Sequence, residues 1–162
     1  MKEQSELILI IKRAKTLEKI IKSICDEQIG TGVYRDVYVL KQNPKYVVKV
    51  ERDMSKGSFA NAMEWRNYID NKDWNLLKEW LAPCELINET GEILIQKRVS
   101  WEGKCRKDLP KYIPDVFTDT KIMNFGWIGK KFVCCDYSSL LLGTKGKMKH
   151  AKWWGSLIKD NK

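Results

Sequence analysis

Asp119-Thr120-Lys121-Ile122-Met123-Asn124, then Phe125-Gly126-Trp127-Ile128-Gly129-Lys130-Lys131-Phe132-Val133-Cys134-Cys135, and then Asp136, is the stretch on which the reading of this chain turns. Gly129-Lys130-Lys131 is a turn signal between two apolar arms. A hairpin is therefore predicted over Phe125 to Tyr137, with Phe132-Val133-Cys134-Cys135 as its buried return strand. An aspartate and an asparagine stand before the hairpin, and a second aspartate closes it. These polar residues bracket the hairpin on both sides. Taken alone, the segment also fits an ordinary hairpin closed by turn residues.

Working towards the N-terminus, Pro110 and Pro114 leave no room for a long helix between Lys107 and Phe117. Cys84-Glu85-Leu86-Ile87 and Ile93-Leu94-Ile95-Gln96 flank the turn Asn88-Glu89-Thr90-Gly91, a second hairpin signature. Residues 59 to 80, with Ala60, Met63, Trp65, Tyr68, Leu76, Leu77 and Trp80, read as mostly helical with a break around Asp70-Asn71-Lys72. Tyr46-Val47-Val48-Lys49-Val50 is a strand that follows the Asn43-Pro44 turn. Val33, Val37 and Val39 with Tyr38 form the preceding strand. On residue type alone, Lys49 reads as an exposed edge lysine and Glu64 as a solvated helix residue. Strand alternation places Val47 and Glu51 on the side of Lys49, with Val48 and Val50 opposite. Residues 5 to 26 are predicted to be a helix, with Leu7, Ile10, Ala14, Leu17, Ile21 and Ile24 on one stripe. That stripe suits packing within the domain and also a short heptad seam for a homodimer.

The chain has 162 residues, 43% hydrophobic and 31% charged, which fits one compact folded domain. Its 30 Lys and Arg against 21 Asp and Glu give a net charge of +9, which favours an anionic partner without choosing one. The run Leu7 to Ile11 is far short of the ~20 residues that cross a bilayer. It follows Glu3 and Glu6 where a secretory signal would carry basic residues, so neither export nor membrane spanning is expected, and the cytoplasm is. Cys25, Cys84, Cys105, Cys134 and Cys135 form an odd set with no Cys-x-x-Cys pair, and His150 is the only histidine. Reduced thiols are expected rather than disulfides or a zinc site.

In this order of elements the sequence resembles the protein-kinase superfamily, in a very small form similar to the compact kinase-like proteins of bacteriophages. The resemblance covers about Ile29 to Ser138. Ile29-Gly30-Thr31-Gly32-Val33-Tyr34-Arg35-Asp36-Val37 resembles the glycine-rich loop that lets backbone approach a triphosphate, with Arg35 in place of the third glycine. Lys49 resembles the strand lysine that neutralises the α/β-phosphates, and Glu64 its helix partner. Asp119, Lys121 and Asn124 resemble the catalytic loop, and Asp136-Tyr137-Ser138 the Asp-Phe-Gly element. The resemblance implies Asp119, Lys121, Lys49 and Glu64 as catalytic residues. It implies Gly30, Gly32, Lys49 and Gln96 at ATP, and Asn124 and Asp136 at Mg²⁺.

The fold class so implied is α+β: a kinase-like N-lobe of antiparallel sheet plus helix, with a severely truncated C-lobe. The expected organisation is residues 1–28 as N-terminal helix and 29–99 as N-lobe. Residues 100–142 are the catalytic and metal-binding segment, and 143–162 a basic, Trp-bearing tail, all within one compact domain. Phe117-Thr118 stands where the family has His-Arg, and no Ala-Pro-Glu segment follows Asp136.

Three functions compete. The first is an ATP- and Mg²⁺-dependent phosphotransferase acting on a protein Ser/Thr, a host protein in the host cytoplasm if the phage likeness holds. The second is an inactive or weak kinase-like module that inhibits or scaffolds a partner with an acidic face. The third is a nucleic-acid binder using Lys145, Lys147, Lys149 and Lys152 with Trp153 and Trp154. Against the third stands the simpler expectation of an amphipathic tail helix whose Trp153, Trp154, Leu157 and Ile158 cap the core.

Overall fold

The computed structural model describes residues 17–52, 58–141 and 146–156. It is an α+β structure, and its described residues fall into two compact units. One comprises those up to Ala62 together with Cys84–Arg98; the other comprises Met63–Pro83 and those from Val99 onward.

The first unit holds α1 (Leu17–Ile24), β1 (Cys25–Thr31), β2 (Arg35–Leu40), β3 (Tyr46–Glu51), β4 (Cys84–Ile87) and β5 (Ile93–Lys97). The first turn of α2 (Ala60–Asn71) also belongs to it. The five strands form one antiparallel sheet in the order β1-β2-β3-β5-β4. Turn chemistry sets the register. Asn43 Oδ1 accepts the Lys45 N–H, and Asn88 Oδ1 accepts the Ile93 N–H at 2.9 Å. Gly91 takes the left-handed φ of 77° that closes the β4–β5 turn. Val48, Val50, Ile93 and Ile95 line one face and bury against Leu40 and the α1 side chains Ile20 and Ile24. Lys49 occupies the other face, as strand alternation predicted.

The helix expected over 5–26 ends at Ile24, and its part before Leu17 lies outside the described residues. Cys25 already pairs with Leu40, and the Lys41 N–H reaches the Ile24 carbonyl at 2.8 Å. Pairing to β2 satisfies the backbone of 25–31, where the hydrophobic stripe of α1 has run out. The described part of the stripe, Leu17, Ile21 and Ile24, packs on the sheet of its own unit.

The second unit contains the rest of α2, β6 (Tyr112–Pro114), β7 (Phe125–Ile128), β8 (Lys131–Cys134) and β9 (Met148–His150). β7 and β8 form the predicted hairpin, turning at Gly129. An aromatic core grows on it. Phe125 and Phe132 stack at 5.6 Å, and Trp153 meets both rings edge-on at 5.0 and 5.6 Å. Phe117, Trp80 and Trp101 add further tilted and edge contacts.

Two local expectations are corrected here. Beyond Asn71 the chain does not resume a helix. It descends through turns such as Leu77 N–H to Trp74 carbonyl and Trp80 N–H to Leu77 carbonyl. Leu81 and Ala82 then run extended beside Cys134. The tail is not a helix over its described part: β9 pairs with β6, and Lys149 Nζ donates to the carbonyls of Asp115 and Phe117. Trp153 does cap the core; Leu157 and Ile158 lie outside the described residues.

Ile24 is fully buried in the cluster between α1 and the sheet. Ile24→Ala is expected to lower unfolding free energy by about 2–5 kcal/mol, read from urea denaturation.

Candidate functional site

In the first unit Lys49 and Gln96 lie on one face of the sheet, with Gly32 in the turn beyond β1. β3 lies between β2 and β5, so Lys49 is central, with Val37 on one side and Leu94 on the other. Its side chain is only 4% exposed, which corrects the reading as a surface edge lysine. Gln96, paired with Val47, is fully buried on the same face. A lysine here must have its charge compensated within the fold or by a ligand.

A buried polar network anchors the end of β3. Glu51 Oε1 accepts the Asn61 N–H at 2.6 Å, and its Oε2 accepts the Ser58 hydroxyl at 2.6 Å. A carboxylate on the first turn of α2 satisfies an orphan N–H and suits the positive end of the helix dipole. Asn61 Nδ2 donates to the carbonyls of Lys49 and Glu92, both at 3.0 Å, and its Oδ1 accepts from Arg35 Nη1. Arg35, standing where a third loop glycine would be, is therefore a buried brace opposite Glu51.

The glycine turn beyond it is open. Val33 is 82% exposed, and the Gly32 N–H bonds the Arg35 carbonyl at 2.8 Å. A Cβ on Gly30 or Gly32 would meet nothing closer than 3.5 Å, so the fold itself does not demand glycine at either. The strands behind the turn are clamped through Asp36. Its carboxylate pairs with Arg52 (Nη2 at 2.6 Å, Nε at 3.0 Å) and accepts from Thr31 Oγ1 and Gln28 Nε2.

The second unit assembles the other predicted residues. Asp119 Oδ1 accepts the Lys121 N–H at 3.0 Å, and its Oδ2 accepts from Asn124 Nδ2 at 2.9 Å. The Asn124 carbonyl in turn accepts the N–H groups of Cys135 (2.7 Å) and Asp136 (3.3 Å). The loop before the hairpin and the aspartate after it are thus tied by one residue. Asp119 and Asp136 are exposed, while Lys121 and Asn124 are half-buried. Glu64 is fully buried, which corrects its reading as a solvated helix residue, and Glu64 Oε2 accepts the Tyr137 N–H at 3.4 Å.

Residues that sequence reasoning passed over hold the chain after Asp136. Asn67 Nδ2 donates to the carbonyls of Tyr137 (2.8 Å) and Ser138 (3.2 Å), and the Tyr137 hydroxyl donates to the Ala82 carbonyl at 2.6 Å. Asn61, Glu64, Asn67 and Asn71 form a buried polar row at helical spacing, whereas Met63 and Ile69 of the same helix are exposed. That row was the available signal, but the apolar residues drew the reading to the other face.

Asn124 and Asp136 carry an amide oxygen and a carboxylate, donors of the type that magnesium takes. Asn124 spends its amide nitrogen on Asp119, which leaves the amide oxygen unengaged among the described residues, and Asp136 supplies a carboxylate. Among the described residues no three His, Cys, Asp or Glu side chains gather at one place. A cation here would draw its remaining ligands from phosphate and water, as Mg²⁺ does. No helix among the described residues is long and apolar enough to cross a membrane. No protein-family model, curated protein or solved structure matches this chain.

Two outcomes are expected. Asn67→Ala strands two backbone carbonyls, one of them buried with Tyr137, and should lower stability by about 1–3 kcal/mol while accelerating amide exchange around Tyr137. The Arg52 hydrogen bond foremost, with that of Thr31, holds the Asp36 carboxyl below its ordinary value. Its stabilisation is therefore present above the unfolded-chain value, roughly 3.9, and fades as pH falls through the folded one. Denaturation of wild type and Asp36→Asn should differ at pH 7 and converge near pH 2.

Proposed function

We propose that this chain is an ATP- and Mg²⁺-dependent phosphotransferase of protein-kinase type acting on a protein Ser/Thr hydroxyl. The observation that carries the reading is the hydrogen-bonded set Asp119–Asn124–Asp136 in the second unit. Further support comes from the buried central-strand Lys49, from the fully buried Glu64, and from two loop glycines that the backbone does not require. The five-stranded order with α2 between β3 and β4 is the arrangement the kinase resemblance implies.

The reaction would be in-line transfer of the γ-phosphoryl group. The acceptor oxygen forms a bond to phosphorus as the bond to the β-phosphate oxygen breaks, ADP leaves, and the hydroxyl proton passes to Asp119 or solvent. Asp119 orients the acceptor, with both its oxygens already fixed by Lys121 N–H and Asn124. Lys121 offsets charge on the transferring group. Lys49 neutralises the α/β-phosphates, and the kinase resemblance implies Glu64 as its partner. Gly30 and Gly32 let backbone close over them, and Gln96 lies on the nucleotide side. Asn124 and Asp136 hold Mg²⁺, which neutralises phosphate charge. Positioning and charge stabilisation supply the rate.

The test is transfer from γ-labelled ATP to protein in a cell lysate, with Mg²⁺. Asp119→Ala should lower transfer by about 10²–10⁴-fold while nucleotide binding persists. Asp136→Ala should abolish Mg²⁺-dependent transfer. Survival of transfer in Asp136→Ala would overturn the assignment. Nucleotide binding by the wild type without any transfer would instead favour a kinase-like binding module.

A further inference from the structure

In the second unit the segment 152–154 lies along the loop 120–122. Thr120 Oγ1 donates to the Lys152 carbonyl, the Trp154 N–H to the Thr120 carbonyl (3.3 Å) and the Ile122 N–H to the Trp154 carbonyl (2.9 Å). Trp153 turns into the aromatic core, and Trp154 turns outward with 51% of its surface exposed. The Trp154 indole is thus half-exposed on a segment bonded to the Asp119 loop, a position from which an aromatic side chain can meet a partner.

Cations gather around it. The Lys121 ammonium lies 5.6 Å from the Trp154 ring centre. Arg106 donates to the carbonyls of Trp153 (3.2 Å) and Gly155 (3.1 Å), which brackets residue 154 with its guanidinium. Lys152 on the same segment and Lys107 beside Arg106 are exposed. Asp119, the residue assigned to the acceptor, is two positions from Lys121.

We propose that Trp154, Arg106 and Lys152 form the acceptor-side platform of this protein. Its occupant is an acidic protein segment in which the acceptor hydroxyl is flanked by carboxylates. The proposal rests on the phosphotransferase reading of Asp119. Flanking carboxylates meet the cations bracketing residue 154, and the indole face takes the apolar part of the segment. The occupant is taken as protein because the reading of Asp119 has a protein hydroxyl as acceptor; an oligonucleotide, which the same cations would also attract, is an outcome of the test.

The experiment uses three labelled peptides with one serine set among aspartate and glutamate, among alanine, or among lysine, plus an oligouridylate. Fluorescence anisotropy without nucleotide reads binding, and Mg²⁺–ATP turnover reads transfer. The acidic peptide should bind wild type about tenfold or more tighter than the alanine peptide. Trp154→Ala and Arg106→Glu should each remove most of that preference and raise KM for the acidic peptide, with KM for ATP unchanged. Arg106 also braces the segment through the Trp153 and Gly155 carbonyls, so Lys152→Glu, at an exposed position that leaves those bonds in place, decides the matter if the other two variants do not fold: it should weaken acidic-peptide binding, and its silence would overturn the platform. Equal binding of acidic and alanine peptides, silence of Arg106→Glu, or tighter binding of the oligouridylate would overturn the platform. Equal transfer to all three peptides would overturn it while leaving the phosphotransferase reading intact. Selective acidic-peptide binding with no transfer to any peptide would support the platform and sink that reading.

Discussion

Asn124 bonds in three directions at once, and the geometry of the candidate site depends on it. Its side chain fixes the Asp119 carboxylate, and its carbonyl receives the backbone of Cys135 and Asp136. The loop before the β7–β8 hairpin and the residue after it are therefore held together by bonds of 2.7 to 3.3 Å. The hairpin brings the two ends close, and the asparagine sets their register. Because its amide nitrogen is committed to Asp119, the amide oxygen has a defined direction.

The same economy of polar groups runs along α2. Burying Asn61, Glu64, Asn67 and Asn71 would be unfavourable if their polar atoms found no partners. Asn61 bonds to the carbonyls of Lys49 and Glu92, Glu64 to the Tyr137 amide, and Asn67 to the carbonyls that follow it. A satisfied buried network specifies one arrangement more sharply than apolar packing does, since each member has few geometries that keep its bonds. Stability in each unit comes from elsewhere: from the aliphatic layer between α1 and the sheet, and from the stacked rings around Phe125 and Phe132. Polar specification and apolar stabilisation are thus divided between different faces of the same elements.

How far the residues could be read depended on whether short-range chemistry governed them. The Asn43-Pro44 and Asn88–Gly91 turns, the hairpin at Gly129, and the placement of Lys49 opposite Val48 and Val50 were all legible, because turn preference and strand alternation act within a few residues. The end of α1 was not, since Cys25 leaves the helix only by virtue of a strand partner fifteen residues away at Leu40. The tail was misread for the same reason, since Met148–His150 pairs with Tyr112–Pro114, whereas residues 72–80 close local turns instead of a helix before Leu81 runs beside Cys134. Helical periodicity in such stretches is overruled when a neighbouring edge satisfies the backbone.

By itself the sequence determined the alternation of strands and turns and the basic balance, because these follow from residue type and local spacing; the roles of Lys49, Glu64, Asp119, Asn124 and Asp136 were expected only through the kinase resemblance. Tertiary structure alone decided which of those groups are buried, that Arg35 is a brace, that Asn67 secures the chain after Asp136, and that Trp153 and Trp154 part company. The physical reason is that burial and hydrogen-bond partnership belong to pairs of residues distant along the chain, and no local pattern records who the partner will be.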